Sequence, residues 1–438
     1  MQVSKNKKNQ YIFLSILAVY IIFNGGNSNL FIQLNFILIS LFFLYCLKDK
    51  NYNLHLKNFY ANNKKSILLY IIFLIYLILQ ILPLPVNFLK FFSPEKYILL
   101  TNINENSYSS ISFSPTSSFF QILNFLTLLL TVFICKMIFY TERHKFRLYF
   151  FLSLFGFIVS LTAVLFYLYG NPDFLILKNS YYKDASSGFF INRTVLAVFL
   201  LFCLISSLEL LRNIQISDKE NFLFKIYIRL FVIFITIGII TSFSRIGNFL
   251  LLLTIAFYLL NEFFFSKNKN QSFKIIMLLI IFFDLIFVGI YFGASEIVDR
   301  FYFLNEEFSS NSATINNISR FDIIKFGYEE LKSFVFFGYG SGAFETLFQL
   351  KFVNFSNQFA NHAHSDLVEF FGEFGLVGIL LISLSLIKFF LIKENYNLIS
   401  IIILSYLFII LLFDFSLHIP IVQILFIIFL LINKKSFS

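Results

Sequence analysis

The chain has 438 residues, of which 58% are apolar and 13% charged, with a formal net charge of +10. Its mean hydropathy is +0.80. A soluble globular chain carries about 25% charged residues, and one compact core cannot hide this much apolar surface, so much of it must face lipid. Six prolines and 16 glycines exclude a collagen-like or low-complexity chain. Cys46, Cys135 and Cys203 each lie inside an apolar run and read as small hydrophobes rather than a disulfide or metal set. The 67 phenylalanines are read as compositional bias and carry no functional argument.

Runs of about 20 apolar residues mark spanning helices. Twelve candidates follow in chain order: 11–23, 30–47, 66–82, 118–140, 148–169, 189–211, 222–242, 246–265, 273–291, 367–387, 398–413 and 419–432. The first, with its basic start, also resembles a signal peptide, but Asn24-Gly25-Gly26-Asn27 is a turn rather than a cleavage site, so it counts as a span. With the amino terminus cytoplasmic, roughly two thirds of the lysines and arginines fall in alternate loops on that side, as the positive-inside rule requires. The expected fold is therefore an all-α integral membrane protein of about twelve transmembrane helices with both termini cytoplasmic. The net charge is topogenic, which disfavours nucleic acid as a partner.

Three outward segments are long. Residues 83–117 are turn-rich, with Pro83, Pro85, Pro94 and Pro115. Residues 170–188 hold Asp173, Lys178, Lys183 and Asp184. Residues 292–361 form the large loop, dividing nine spans in 1–291 from three in 362–438. In it, 320–337 has helical spacing, followed by Gly338-Tyr339-Gly340-Ser341-Gly342, expected as a tight turn. No internal repeat of fixed period is evident.

Ionisable groups at membrane depth are functional candidates. Arg193 ends the outer side of the sixth span, Arg245 lies in the break between the seventh and eighth, and Arg320 starts the loop helix. His362, His364, Asp366 and Glu369 open the tenth span; Asp414 and His418 occupy the last outer turn. Each has a plain structural reading. The arginines can snorkel to head groups, His364 can be an interfacial histidine, Asp414 a charge partner or cap, and His418 a bystander. Glu369 and Glu373, four apart, are expected to pair with the arginines. His362 and His364 have metal-ligand spacing but no evident third ligand, so no metal and no cofactor is expected.

Together the set suits one chemistry. Two guanidiniums grip a diphosphate by planar paired hydrogen bonds and stabilise its charge as it leaves. A histidine titrating near neutrality takes the proton of an incoming hydroxyl. That is glycosyl transfer from a polyprenyl-diphosphate donor. A secondary transporter also suits twelve spans but needs coupled charges near mid-bilayer, where Asp284 has no evident partner.

The run His362-Ala363-His364-Ser365-Asp366 through Glu373-Phe374-Gly375-Leu376-Val377-Gly378 resembles the signature of the O-antigen ligase and polysaccharide polymerase superfamily. Similar segments surround Arg193, Arg245, Arg320 to Glu345, and Asp414 to Pro420. Ser365 departs from the family's usual Asn. The resemblance implies a metal-independent glycosyltransferase of the bacterial inner membrane with a large periplasmic loop. It implies an undecaprenyl-diphosphate-linked glycan as donor and an acceptor such as lipid A core, with repeat-unit polymerisation as the alternative. Carried over, Arg193, Arg245 and His364 are catalytic. Arg320 is expected to bind substrate, and His362, Asp366, Glu369 and Asp414 are expected to be substrate-binding with it.

Overall fold

The computed structural model describes residues 2–102, 108–173, 183, 185–213, 222–265, 273–280, 282, 319–352, 360–387 and 397–433. Lys178, Asp184, Asp284, residues 292–318 and most of the expected ninth span lie outside them. The described residues form helices α1 (Gln2–Ile22), α2 (Asn29–Leu47), α3 (Lys50–Ile81), α4 (Val86–Phe92), α5 (Pro94–Asn102), α6 (Pro115–Ile138), α7 (Glu142–Leu168) and α8 (Arg193–Asn213). They continue with α9 (Phe222–Thr241), α10 (Arg245–Leu260), α11 (Arg320–Leu331), α12 (Phe344–Lys351), α13 (Asp366–Leu386), α14 (Leu398–Phe413) and α15 (Pro420–Ile432). Two-residue strands, β1 (Leu84–Pro85) and β2 (Tyr108–Ser109), pair antiparallel. Among the described residues, eight helices are long and apolar enough to cross a membrane, with α14 and α15 as shorter apolar helices. The chain is an all-α, multi-pass membrane protein.

Among the described residues, the expected helices other than the ninth span are present with shifted ends. The third starts at Lys50, not 66, because Asp49 caps it by accepting the Asn51 N–H at 3.0 Å. Its basic first half therefore belongs to the helix, with a kink at Asn63. The turn-rich 83–117 segment contains α4 and α5. The loop helix stops at Leu331, six residues short of the expected end, because 332–342 turns back into the bundle. The three cysteines are buried and unbridged, as expected of small hydrophobes.

The core centres on α8, whose residues from Val195 to Leu211 are buried on every face. It packs against α7, α9, α10 and α15. Close approach of α10 needs Gly247, where a Cβ would lie 2.4 Å from that of Ala197. Farther round, the Thr254 and Tyr406 hydroxyls join α10 to α14, and Asn124 donates to Gln423 at 2.8 Å to join α6 to α15. The starts of α8 and α10 and the α14–α15 turn are thereby fixed by one bundle.

Candidate active site

Two helix starts carry the arginines. Between α9 and α10 the chain reverses within 242–244, with Phe243 in the left-handed region at φ +48°. Ser244 then caps α10 by accepting the Gly247 N–H at 3.1 Å, which makes Arg245 the first helical residue. At the start of α8 the Asn192 carboxamide oxygen accepts the Thr194 N–H at 2.7 Å, and Arg193 is the first residue there. The Ser244 hydroxyl donates to the Thr194 hydroxyl at 3.2 Å, so the two starts lie side by side. Arg245 is exposed and Arg193 half-buried. Unsatisfied N–H groups and the macrodipole give each helix start a partial positive charge. Two guanidiniums added there make a setting suited to an anion.

The histidines sit on the turn into α13. His364 is in the left-handed region at φ +57°, and the Asp366 N–H bonds the Asp414 carbonyl at 2.8 Å. The Phe415 ring lies between the two histidines. His362 stacks on it with ring centres 4.7 Å apart, and His364 meets its edge at 5.4 Å.

Behind this turn is a buried ionic cluster. Asp366, Glu369 and Glu373 follow at i, i+3 and i+7, so they share one face of α13, and all three are buried. His418 sits among them. Its Nδ1 bonds Asp366, while Nε2 is 3.3 Å from Glu369 and 3.8 Å from Glu373. Glu369 also accepts from the Ala363 N–H at 2.7 Å and lies 2.9 Å from His362 Nδ1. Asp366 takes the Leu417 N–H at 2.9 Å, and Glu373 the Gly342 N–H at 2.7 Å. Burial works against charge on His418, but Glu369 and Asp366 outweigh it and hold the imidazole's pKa well above the ordinary value. Burial raises the Asp414 pKa, opposed by the Ser416 hydroxyl and by Arg320, whose charge reaches Asp414 from the start of α11.

His418 is thus no bystander but the centre of the cluster. What the sequence did carry was the spacing: three carboxylates on one helical face require a counter-charge, and His418 lies on the neighbouring turn. Phe415 gave no signal at all. Glu369 and Glu373, expected against the arginines, face His418. Asp366 and Glu369 lie behind the site, holding its turn. Asp414 ends α14 and accepts from Ser416, which fits a capping role. His362, Glu369 and His418 bring three donor atoms within 4.8 Å of one another, a group made with His418 rather than with His364.

The two halves belong to one end of the bundle. Gly25 packs against Phe190, three residues before Arg193, and against Ile419, the residue after His418. Helix α8 also packs on the 416–418 turn.

Residues 230–383 match the family model described as O-Antigen ligase. The match covers about a third of the chain. It contains Arg245, Arg320, His362, His364 and the carboxylates of α13, whereas Arg193, Asp414 and His418 lie outside its bounds. Family members are glycosyltransferase-like enzymes of the membrane acting on glycan and lipid-linked substrates. No curated protein and no solved structure matches the chain.

Proposed function

We propose that the protein is an O-antigen ligase-like glycosyltransferase of the bacterial inner membrane. It moves a glycan from undecaprenyl diphosphate to an acceptor hydroxyl, such as one on lipid A core, at the periplasmic face. Twelve spans with both termini cytoplasmic are part of the proposal. The observation that supports it most is the Ser244–Thr194 bond, which pairs the helix starts of Arg245 and Arg193 in a bundle that also holds the His364 turn.

In this reading Arg193 and Arg245 hold the diphosphate and oppose its growing charge. His364 removes the acceptor hydroxyl proton as that oxygen attacks the anomeric carbon of the donor. The bond from that carbon to the diphosphate oxygen breaks, and undecaprenyl diphosphate leaves with the electron pair. Arg320 binds substrate near Asp414. Asp366, Glu369, His362 and His418 keep the His364 turn in place, and no metal takes part.

Purified protein incubated with a polyprenyl-diphosphate oligosaccharide and candidate acceptors, with products weighed by mass spectrometry, tests this. One block moved to core lipid means ligase. A ladder of repeats means polymerase, the second reading that the family match favours equally. Labelled flux across a vesicle without a new glycosidic bond would mean a transporter and end the proposal.

A further inference from the structure

Helix α13 is broken at Gly375, whose φ of +61° and ψ of −179° are non-helical. The break frees two donors and two acceptors, and residues 335–340 take up all four. The Leu376 N–H bonds the Val335 carbonyl at 2.7 Å, and the Val377 N–H bonds that of Phe336 at 3.2 Å. In return, the Gly372 carbonyl accepts the Tyr339 N–H at 2.8 Å and the Glu373 carbonyl accepts the Gly340 N–H at 3.2 Å. From α3, the Tyr76 hydroxyl caps the carbonyls of Phe337 and Phe374 at 2.7 and 2.8 Å.

The depth of the break follows from length. By sequence, the uncharged apolar run from the break to the first basic residue, Lys388, is Leu376 to Ile387. At 1.5 Å per residue that covers about 18 Å of a hydrocarbon layer about 30 Å thick. Gly375 therefore lies on the order of 10 Å inside the outer edge. The stitching residues must lie at that depth too. Backbone there has to be satisfied by protein, as it is.

We infer that 333–338 is a re-entrant turn, and that Val335 and Phe336 face the hydrocarbon chains of the outer leaflet. Phe336 is 63% exposed, in a segment expected to belong to the large outward loop. Its exposed neighbours continue the same surface. Leu376 and Leu380 belong to the outward stripe of α13, and Phe91 of α4 lies 6.0 Å from Phe337. Aromatic and aliphatic groups continuous with a spanning helix's lipid stripe fit acyl chains, not water. The turn is also tied to the candidate site, since Gly342 just beyond it holds the Glu373 carboxylate.

The chain contains no tryptophan, so Phe336→Trp installs a single tryptophan in the full-length protein, excited selectively at wavelengths where tyrosine does not absorb. In lipid vesicles its emission should be blue-shifted, quenched by lipids brominated along the acyl chain, and insensitive to aqueous iodide. Glu329→Trp, at an exposed position of α11, should behave in the opposite way. The inference fails if Phe336→Trp responds to iodide as Glu329→Trp does. It also fails if neither quencher reaches it, because another protein chain would then cover the surface. Neither readout requires turnover, so this result and the transferase reading stand or fall separately.

Discussion

The Ser244 hydroxyl donates to the Thr194 hydroxyl at 3.2 Å, and each of these residues adjoins an arginine that opens a helix. The bond ties two positive helix starts together. Arg193→Ala and Arg245→Ala are each expected to lower the transfer rate on the order of 10²–10³-fold, as loss of a preorganised charge-stabilising group does. Arg245→Lys should fail as well, since an ammonium loses the paired planar geometry. Initial rates with a polyprenyl-diphosphate oligosaccharide check this; a fully active lysine variant would show that charge alone suffices.

His364 occupies a left-handed backbone position at φ +57°, which asparagine adopts more readily than most residues. His364→Asn should keep the turn and lose the base, cutting turnover on the order of 10²–10⁴-fold while leaving donor binding near wild type. Parallel loss of binding would instead give His364 a role in gripping substrate.

His418 makes a prediction about pH. Its folded-state pKa lies above the ordinary histidine value, because Glu369 and Asp366 outweigh burial. The stability it contributes is therefore fully present below about pH 6.5, the pKa in the unfolded chain. It is lost as pH rises through the higher folded value. Wild-type thermal midpoints should fall on the alkaline side, and His418→Gln should be less stable at neutral pH and lack that fall. Equal pH profiles for the two proteins would mean His418 is neutral in the folded state.

Lys96 carries the opposite sign. Burial lowers its pKa to about 8, while its ammonium donates to the Ser110 and Ser112 carbonyls at 2.8 and 2.6 Å. Between pH 8 and about 10.4, its pKa in the unfolded chain, the unfolded state binds more protons, so this group makes stability rise with pH. Lys96→Met removes that rise and leaves the Ser110 carbonyl without its donor, a loss of about 1–3 kcal/mol where it stays dry, while the Ser112 carbonyl keeps the Ser110 hydroxyl at 2.8 Å. A thermal midpoint unchanged from wild type would mean water replaces the ammonium.

The spans were legible because a 20-residue apolar run has few other uses; Arg193, Arg245 and His364 stand out in the sequence because charge at the rim of such a run demands a reason. The lengthened α3 was hidden by its polar first half, where Asp49 as cap decides the start. His418 was missed because one turn seen alone gives no sign of three carboxylates packing round it from another helix. The re-entrant turn was hidden similarly. Gly375 inside an apolar run reads as a tolerated glycine, and only the partners of Leu376 and Val377 reveal a break.

That break gives the sharpest stability test. At φ +61° and ψ −179°, Gly375 occupies a region that is essentially glycine's alone, and a Cβ there would lie 2.4 Å from the Phe336 carbonyl oxygen. Gly375→Ala combines backbone strain with a clash against backbone that cannot yield without releasing the stitched turn. It is expected to cost about 3 kcal/mol or more. Gly170 provides the control, with φ +77° but nothing within 4 Å of an added Cβ. Gly170→Ala should cost only about 1–2 kcal/mol, the left-handed penalty by itself. Thermal midpoints of the purified proteins measure the difference. Equal losses would mean that the α13 break closes into regular helix without penalty and that the 335–340 stitch holds nothing in place.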